Sequence, residues 1–325
     1  MISVVGLIVG ILLLISGATL LVRGASALAV RLGVSPLVIG LTIVGFGTSA
    51  PELVVNIVAS LRGATALAFG NVVGSNISNV GLILGIAALL IPITIKGQIV
   101  QREIPLLLLA TSVITVMALD GPLDGLPAVI GRSESIVLLL LFCVFIYSHM
   151  LDLVKTRRAD PLAADIEDNP LLDTRSEGRV PWLLVPAGLL LLLLGGELTI
   201  RNGVAYATSL GVSPAIVGLF MVAVGTSMPE LVTTIVAALR RESDLALGNI
   251  VGSNIFNSLV VLPASGLISQ IPIPRGGIID LLFSLVLAAF LVLVFFLGKA
   301  RMGRITGGIL LVAYFTYMAV RVASS

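Results

Sequence analysis

Ten stretches of this 325-residue chain are apolar almost from end to end, and the few polar residues that interrupt them recur in two matched sets. The stretches lie near 2–22, 36–60, 67–92, 103–119, 134–154, 181–200, 214–239, 245–269, 277–298 and 304–322. Several, such as 3–22, 135–151 and 181–196, carry no charged residue and are long enough, or nearly so, to cross a bilayer as helices. The pattern predicts an all-α polytopic membrane protein with ten transmembrane helices. Five fall in a first unit over 1–154 and five in a second over 181–325, with 155–180 as a cytoplasmic linker.

The polar interruptions identify the two units as copies of each other. Gly47-Thr48-Ser49-Ala50-Pro51-Glu52 returns 178 residues later as Gly225-Thr226-Ser227-Met228-Pro229-Glu230. Across 47–62 against 225–240, twelve of sixteen residues are identical, and across 70–79 against 248–257, eight of ten. Chance similarity between apolar helices would match Leu and Val, whereas here Thr, Ser, Pro, Glu and Asn match in register. An odd number of spans per copy turns the second copy upside down relative to the first. Lys and Arg test that arrangement, because they concentrate on the cytoplasmic side. With both termini outside, fourteen of the nineteen basic residues fall on the inner side and five, Arg62, Arg132, Arg201, Arg275 and Arg321, on the outer. The predicted location is therefore the cell's inner (plasma) membrane, multi-pass, with inverted halves. The first apolar run ends in Ala25-Ser26-Ala27, but no basic residue precedes it as in a secretory signal, so it is expected to remain as a span.

Composition narrows the chemistry. The chain is 58% hydrophobic and 11% charged, far below the roughly one quarter charged of soluble domains. One Cys and one His exclude a thiol- or imidazole-rich metal centre, so any bound metal must be held by oxygen. Cys143 is expected to be a small buried hydrophobe and His149 an interfacial residue. No basic surface calls for nucleic acid, and the implied partners are the lipid bilayer and small cations. The acids of 155–180 lack the spacing of a calcium loop.

Glu52 and Glu230 are the only acids that the repeat pairs deep within apolar segments, where a carboxylate is costly and usually functional. Pro51 and Pro229 cannot donate to the carbonyls of Gly47 and Gly225, which leaves bare carbonyls beside the acids. Thr48 and Glu52 are four apart, on one helical face, as are Thr226 and Glu230. Asn71, Ser75 and Asn79 form a second polar stripe, repeated as Asn249, Ser253 and Asn257. Asn71 and Asn249 could equally join helices or bind an ion, whereas Asn79 and Asn257 lie deeper and are favoured as ligands. Gly70, Gly74, Gly248 and Gly252 form small-xxx-small patterns that let helices approach closely. Carboxylates, hydroxyls, amides and carbonyls suit calcium or sodium. Two carboxylates are neutralised by one divalent ion, and without it protons or monovalent cations should take its place, which is the competition an antiporter requires.

These motifs resemble those of the cation/calcium exchanger superfamily, and most closely its prokaryotic sodium/calcium exchanger branch. The resemblance implies a secondary antiporter that exchanges calcium for sodium by alternating access, with no cofactor beyond the transported ions. It implies Glu52 and Glu230 as central calcium ligands, with Thr48 and Thr226 alongside. Ser49, Ser75, Ser227, Ser253 and the carbonyls of Gly45 and Ala223 would bind sodium, with Asn79 lining the centre. Some relatives, including potassium-dependent exchangers, carry an aspartate where this chain has Asn257, so potassium transport is not expected. The first and sixth spans would slide over a fixed core. A proton/calcium antiporter on the same scaffold is the alternative. An intramembrane hydrolase is disfavoured, since no His or Lys in a motif could activate Ser49, and no enzyme activity is expected.

Overall fold

A computed structural model describes residues 2–94, 100–119, 128–159, 180–210, 225–297 and 301–324. Its helices follow the apolar runs, because in lipid a segment must satisfy its backbone polar groups internally. They are α1 (Ile2–Leu32), α2 (Pro36–Thr48), α3 (Ala50–Leu61), α4 (Thr65–Leu90), α5 (Val100–Met117) and α6 (Arg132–Ala159) in the first half of the chain. The second half contains α7 (Val180–Ser209), α8 (Met228–Leu239), α9 (Ser243–Ile268), α10 (Gly277–Leu297) and α11 (Arg304–Ser324). Among the described residues, seven helices are long and apolar enough to span a membrane, and the bent pair α2–α3 makes eight. The helix α1 continues ten residues beyond the expected end at 22, because Arg23 points outward while Ala25, Leu28 and Ala29 are buried. Residues 155–159, expected in the linker, continue α6, and 160–179 lie outside the described residues.

Side chains are distributed as lipid requires. Val5, Leu12, Leu140, Val144, Leu183, Val286 and Val312 are exposed, while Glu52, Asn56, Asn79, Glu230 and Asn257 are fully buried. The two most enclosed spans are α4 and α9, which carry the polar stripes. These are the features of a multi-pass integral membrane protein. Two single-residue expectations fail for a reason of helix facing. Cys143 is exposed, because it shares its side of α6 with the outward residues Leu140, Val144 and Tyr147. His149 is buried rather than interfacial, since its Nε2 lies 3.2 Å from Glu103 Oε1 on α5 and its ring packs on Phe145.

Contacts between the halves are reciprocal. Two-residue strands follow the third apolar run and precede the fifth in each half, namely β1 (Ile93–Thr94), β2 (Val129–Ile130), β3 (Ile271–Pro272) and β4 (Arg301–Met302). The antiparallel pairs are β1 with β4 and β2 with β3, so each half supplies both kinds of partner to the other. Glycine sets the closest helix approach. A Cβ added at Gly10, Gly17 or Gly24 of α1 would fall within 2.8 Å of Thr199, Gly188 or Leu184 on α7. As numbers rise along α1 they fall along α7, so the two helices run antiparallel in contact. Gly248 and Gly252 of α9 are equally tight against the backbone of Leu37 and Leu41 in α2. The partners that the repeat assigns to Gly70 and Gly74 lie at 215–219, outside the described residues.

Candidate ion-binding site

A helix break places each carboxylate. The chain leaves helical geometry at Ser49 (φ −85°, ψ 9°) and at the matching Ser227 (φ −87°, ψ 12°). Pro51 and Pro229 sit in the first turn of the helix that follows, where a missing N–H is tolerated. The break therefore falls at the serine two residues before each proline, and α2 and α3 meet at a bend of 42°. Glu52 and Glu230 lie in the first turns of α3 and α8, where the helix dipole favours negative charge. Both are completely buried, within Coulombic reach of each other.

The serines at the breaks cross between the halves. Ser49 Oγ donates to Glu230 Oε1 at 2.8 Å, and Ser227 Oγ to Glu52 Oε1 at 3.3 Å, so each serine serves the carboxylate of the opposite copy. Ser253 Oγ lies 3.1 Å from the Gly45 carbonyl and 3.4 Å from Glu230 Oε1. Thr48 Oγ1 donates to Asn249 Oδ1 at 3.0 Å, and Thr226 Oγ1 to Asn71 Oδ1 at 3.2 Å. Asn71 also donates to Asn56 Oδ1 at 2.7 Å, and Asn249 to Thr234 Oγ1 at 2.9 Å. Both asparagines are thus occupied in joining helices. Of the two roles open to them from sequence, the geometry favours this one.

The deeper asparagines differ. Wide π turns interrupt α4 at Ser78–Leu84 and α9 at Asn257–Val261, so Asn79 and Asn257 lie where the regular stripe ends. Such turns occur often at functional sites. Among the described residues, Asn79 Oδ1 and both polar atoms of Asn257 are buried without a hydrogen-bond partner, as are Glu52 Oε2, Glu230 Oε2 and Ser75 Oγ. A buried polar group left unmatched costs about 1–3 kcal/mol, and more when charged. Apart from one amide nitrogen these atoms are oxygens, the donor set of a hard cation. No group of three or more His, Cys, Asp or Glu gathers among the described residues, and at this site two carboxylates stand among neutral oxygens. Ala223 lies outside the described residues, whereas the other expected ligands are described. Sequence reasoning missed Asn56, Thr234, Asn76, Asn254 and Ser258. Asn56 and Thr234 fall one turn beyond the glutamates, a spacing that could have drawn attention to them.

The family model described as sodium/calcium exchanger protein matches residues 2–151 and 180–323. Among curated relatives, the putative antiporter CaxA of Alkalimonas amylolytica is 36% identical over 98% of both chains. The sodium/calcium exchanger MaX1 of Methanosarcina acetivorans is 31% identical over 97% of both. A solved structure of the sodium-calcium exchanger NCX_Mj, soaked with 10 mM Na+ and zero Ca2+, superposes with a TM-score of 0.81 and 29% identity over 98% of each chain.

Proposed function

The chain belongs to the sodium/calcium exchanger protein family of cation/calcium antiporters, membrane transporters rather than enzymes, and on that premise we propose that it exchanges calcium for sodium across the membrane by alternating access. One observation carries the proposal: two fully buried carboxylates are bridged by serines from opposite halves, beside buried oxygens that have no hydrogen-bond partner among the described residues. Calcium neutralises the pair. Two sodium ions, drawing on the carboxylates and the adjacent hydroxyls and carbonyls, would neutralise it equally well. The proposed ligands are Glu52, Glu230, Thr48, Thr226, Ser49, Ser227, Ser75, Ser253, Asn79, Asn257 and the carbonyls of Gly45 and Ala223.

Ten spans in two inverted five-helix halves, with both termini outside, complete the reading. The sequence repeat, the asymmetry of Lys and Arg and the reciprocal strand pairs support it. The glycine-lined contact of α1 with α7 supports their moving together as one body over the core.

Calcium uptake into vesicles separates sodium coupling from proton coupling. Loaded with sodium and diluted into sodium-free buffer at clamped pH, vesicles holding the protein should accumulate calcium, and Glu52→Gln should abolish the uptake. Uptake that ignores the sodium gradient and follows an imposed pH gradient would replace this reading with proton/calcium antiport.

A further inference from the structure

Four buried asparagines, Asn76, Asn79, Asn254 and Asn257, stand at two pairs of matched positions, yet they are not used alike. Asn79 Nδ2 donates to Asn254 Oδ1 at 2.9 Å, and Asn254 Nδ2 donates to the Asn76 carbonyl at 3.1 Å. The repeat-related contact would run from Asn257 Nδ2 to Asn76 Oδ1. It is not made: Asn257 Nδ2, Asn257 Oδ1 and Asn76 Oδ1 are all buried without a partner among the described residues. Asn76 Nδ2 donates instead to Ser258 Oγ at 2.9 Å. The residue matching Ser258 in the first copy is Val80, which offers no acceptor, so Asn254 has no such distraction. This substitution between the copies distinguishes the surroundings of the two asparagine pairs.

A carboxamide has a donor end and an acceptor end, and holding the first aims the second. A cation accepts only the oxygen. Asn79, held by its nitrogen, already turns Oδ1 away from protein partners. Asn257 is held at neither end by any described residue.

Resting on the reading of this region as the cation site, we propose that Asn254 is the positioning residue for Asn79. Ser258, by capturing the amide of Asn76, leaves Asn257 unheld. The site then has one amide ligand oriented in advance and one that the cation must itself orient.

Equilibrium calcium binding to the purified full-length protein tests this. Asn254→Ala and Asn79→Ala should each weaken binding about tenfold, the equivalent of one oriented hydrogen-bonding group. The double variant should be no weaker than Asn79→Ala, because Asn254 acts through Asn79. Ser258→Ala should return Asn76 to Asn257 and tighten binding about threefold, and this gain should vanish in the Asn257→Ala background. A merely structural role would produce additive losses and no gain. Additive losses for Asn254 and Asn79, or a Ser258→Ala variant that binds no more tightly than the parent, would overturn the proposal. If Asn254→Ala does not yield folded protein, the Ser258→Ala result decides alone. Glu52→Gln separates the two levels: retained calcium binding there would remove the site reading itself, whereas its loss alongside additive asparagine effects would remove only the positioning role.

Discussion

Gly63 and Arg241 occupy matched positions at the turns after α3 and α8, and both take left-handed backbone, with φ of 74° and 62°. Glycine adopts that conformation freely, while a side chain there costs about 1 kcal/mol. Arg241→Gly should therefore raise thermal stability slightly, and Gly63→Arg should lower it by about 1 kcal/mol. Thermal unfolding in detergent checks the pair; a destabilised Arg241→Gly would mean that the arginine makes a compensating contact. At the proposed site, residue identity decides charge. Asn257 leaves two carboxylates, whose charge one calcium balances, and a potassium ion added to the sodium ions would sit as surplus charge in a low-dielectric interior. Transport should run unchanged when choline replaces potassium on both sides. Asn257→Asp should add potassium sensitivity or alter the sodium dependence. Stalling of the unmodified protein in potassium-free vesicles that retain a sodium gradient would refute this account of Asn257.

Among the elements, α1 and α7 meet where several glycines leave no room for side chains. A Cβ at Gly17 would lie 2.8 Å from the Gly188 carbonyl oxygen and 2.8 Å from the Leu192 nitrogen, both backbone atoms that cannot turn aside. Gly17→Leu should thus force the helices apart, at about 1–3 kcal/mol or more, and lower both exchange rate and thermal stability. Gly308→Leu in α11, where a Cβ meets nothing within 4 Å, should leave both near the parent values. Equal effects of the two substitutions would show that the tight α1–α7 contact is not a requirement. The fourth and fifth runs of each half are tied differently. Glu103 meets His149 between α5 and α6, while Asp280 on α10 meets Arg321 and Tyr317 on α11, with Arg321 Nε 2.6 Å from Asp280 Oδ1. In the sequence Asp280 is an acid near a span end, and its pairing with α11 follows only from which helix lies beside it.

On the scale of the whole molecule, each half contributes one of the two buried carboxylates. A proton on Glu52 or Glu230 removes one negative charge and occupies an oxygen that a cation would use. Calcium affinity should therefore fall as pH drops from about 8 to about 5, and calcium titrations across that range would show it. A flat profile would mean that these carboxylates are not the ligands.

The apolar runs, the duplication and the two buried acids were legible in the sequence because each is a local or self-referential signal. Hydrophobicity identifies a span, a proline near a glutamate identifies a break, and identity at a fixed offset identifies a copy. Even so, the end of α1 escaped, since Arg23 closes the apolar run without closing the helix. Only the tertiary structure decided who meets whom. Ser49 serves Glu230 and Ser227 serves Glu52, across 181 and 175 residues of chain, and no local spacing encodes such a crossing. Asn71 and Asn79 belong to one stripe and have the same side chain. The first is consumed by Asn56 and Thr226, while the second keeps a free oxygen, because different residues face them from other helices. Sequence determines which groups enter the membrane interior, where each must find a partner. The packing of helices determines which of them are satisfied by protein and which keep an unmatched polar atom.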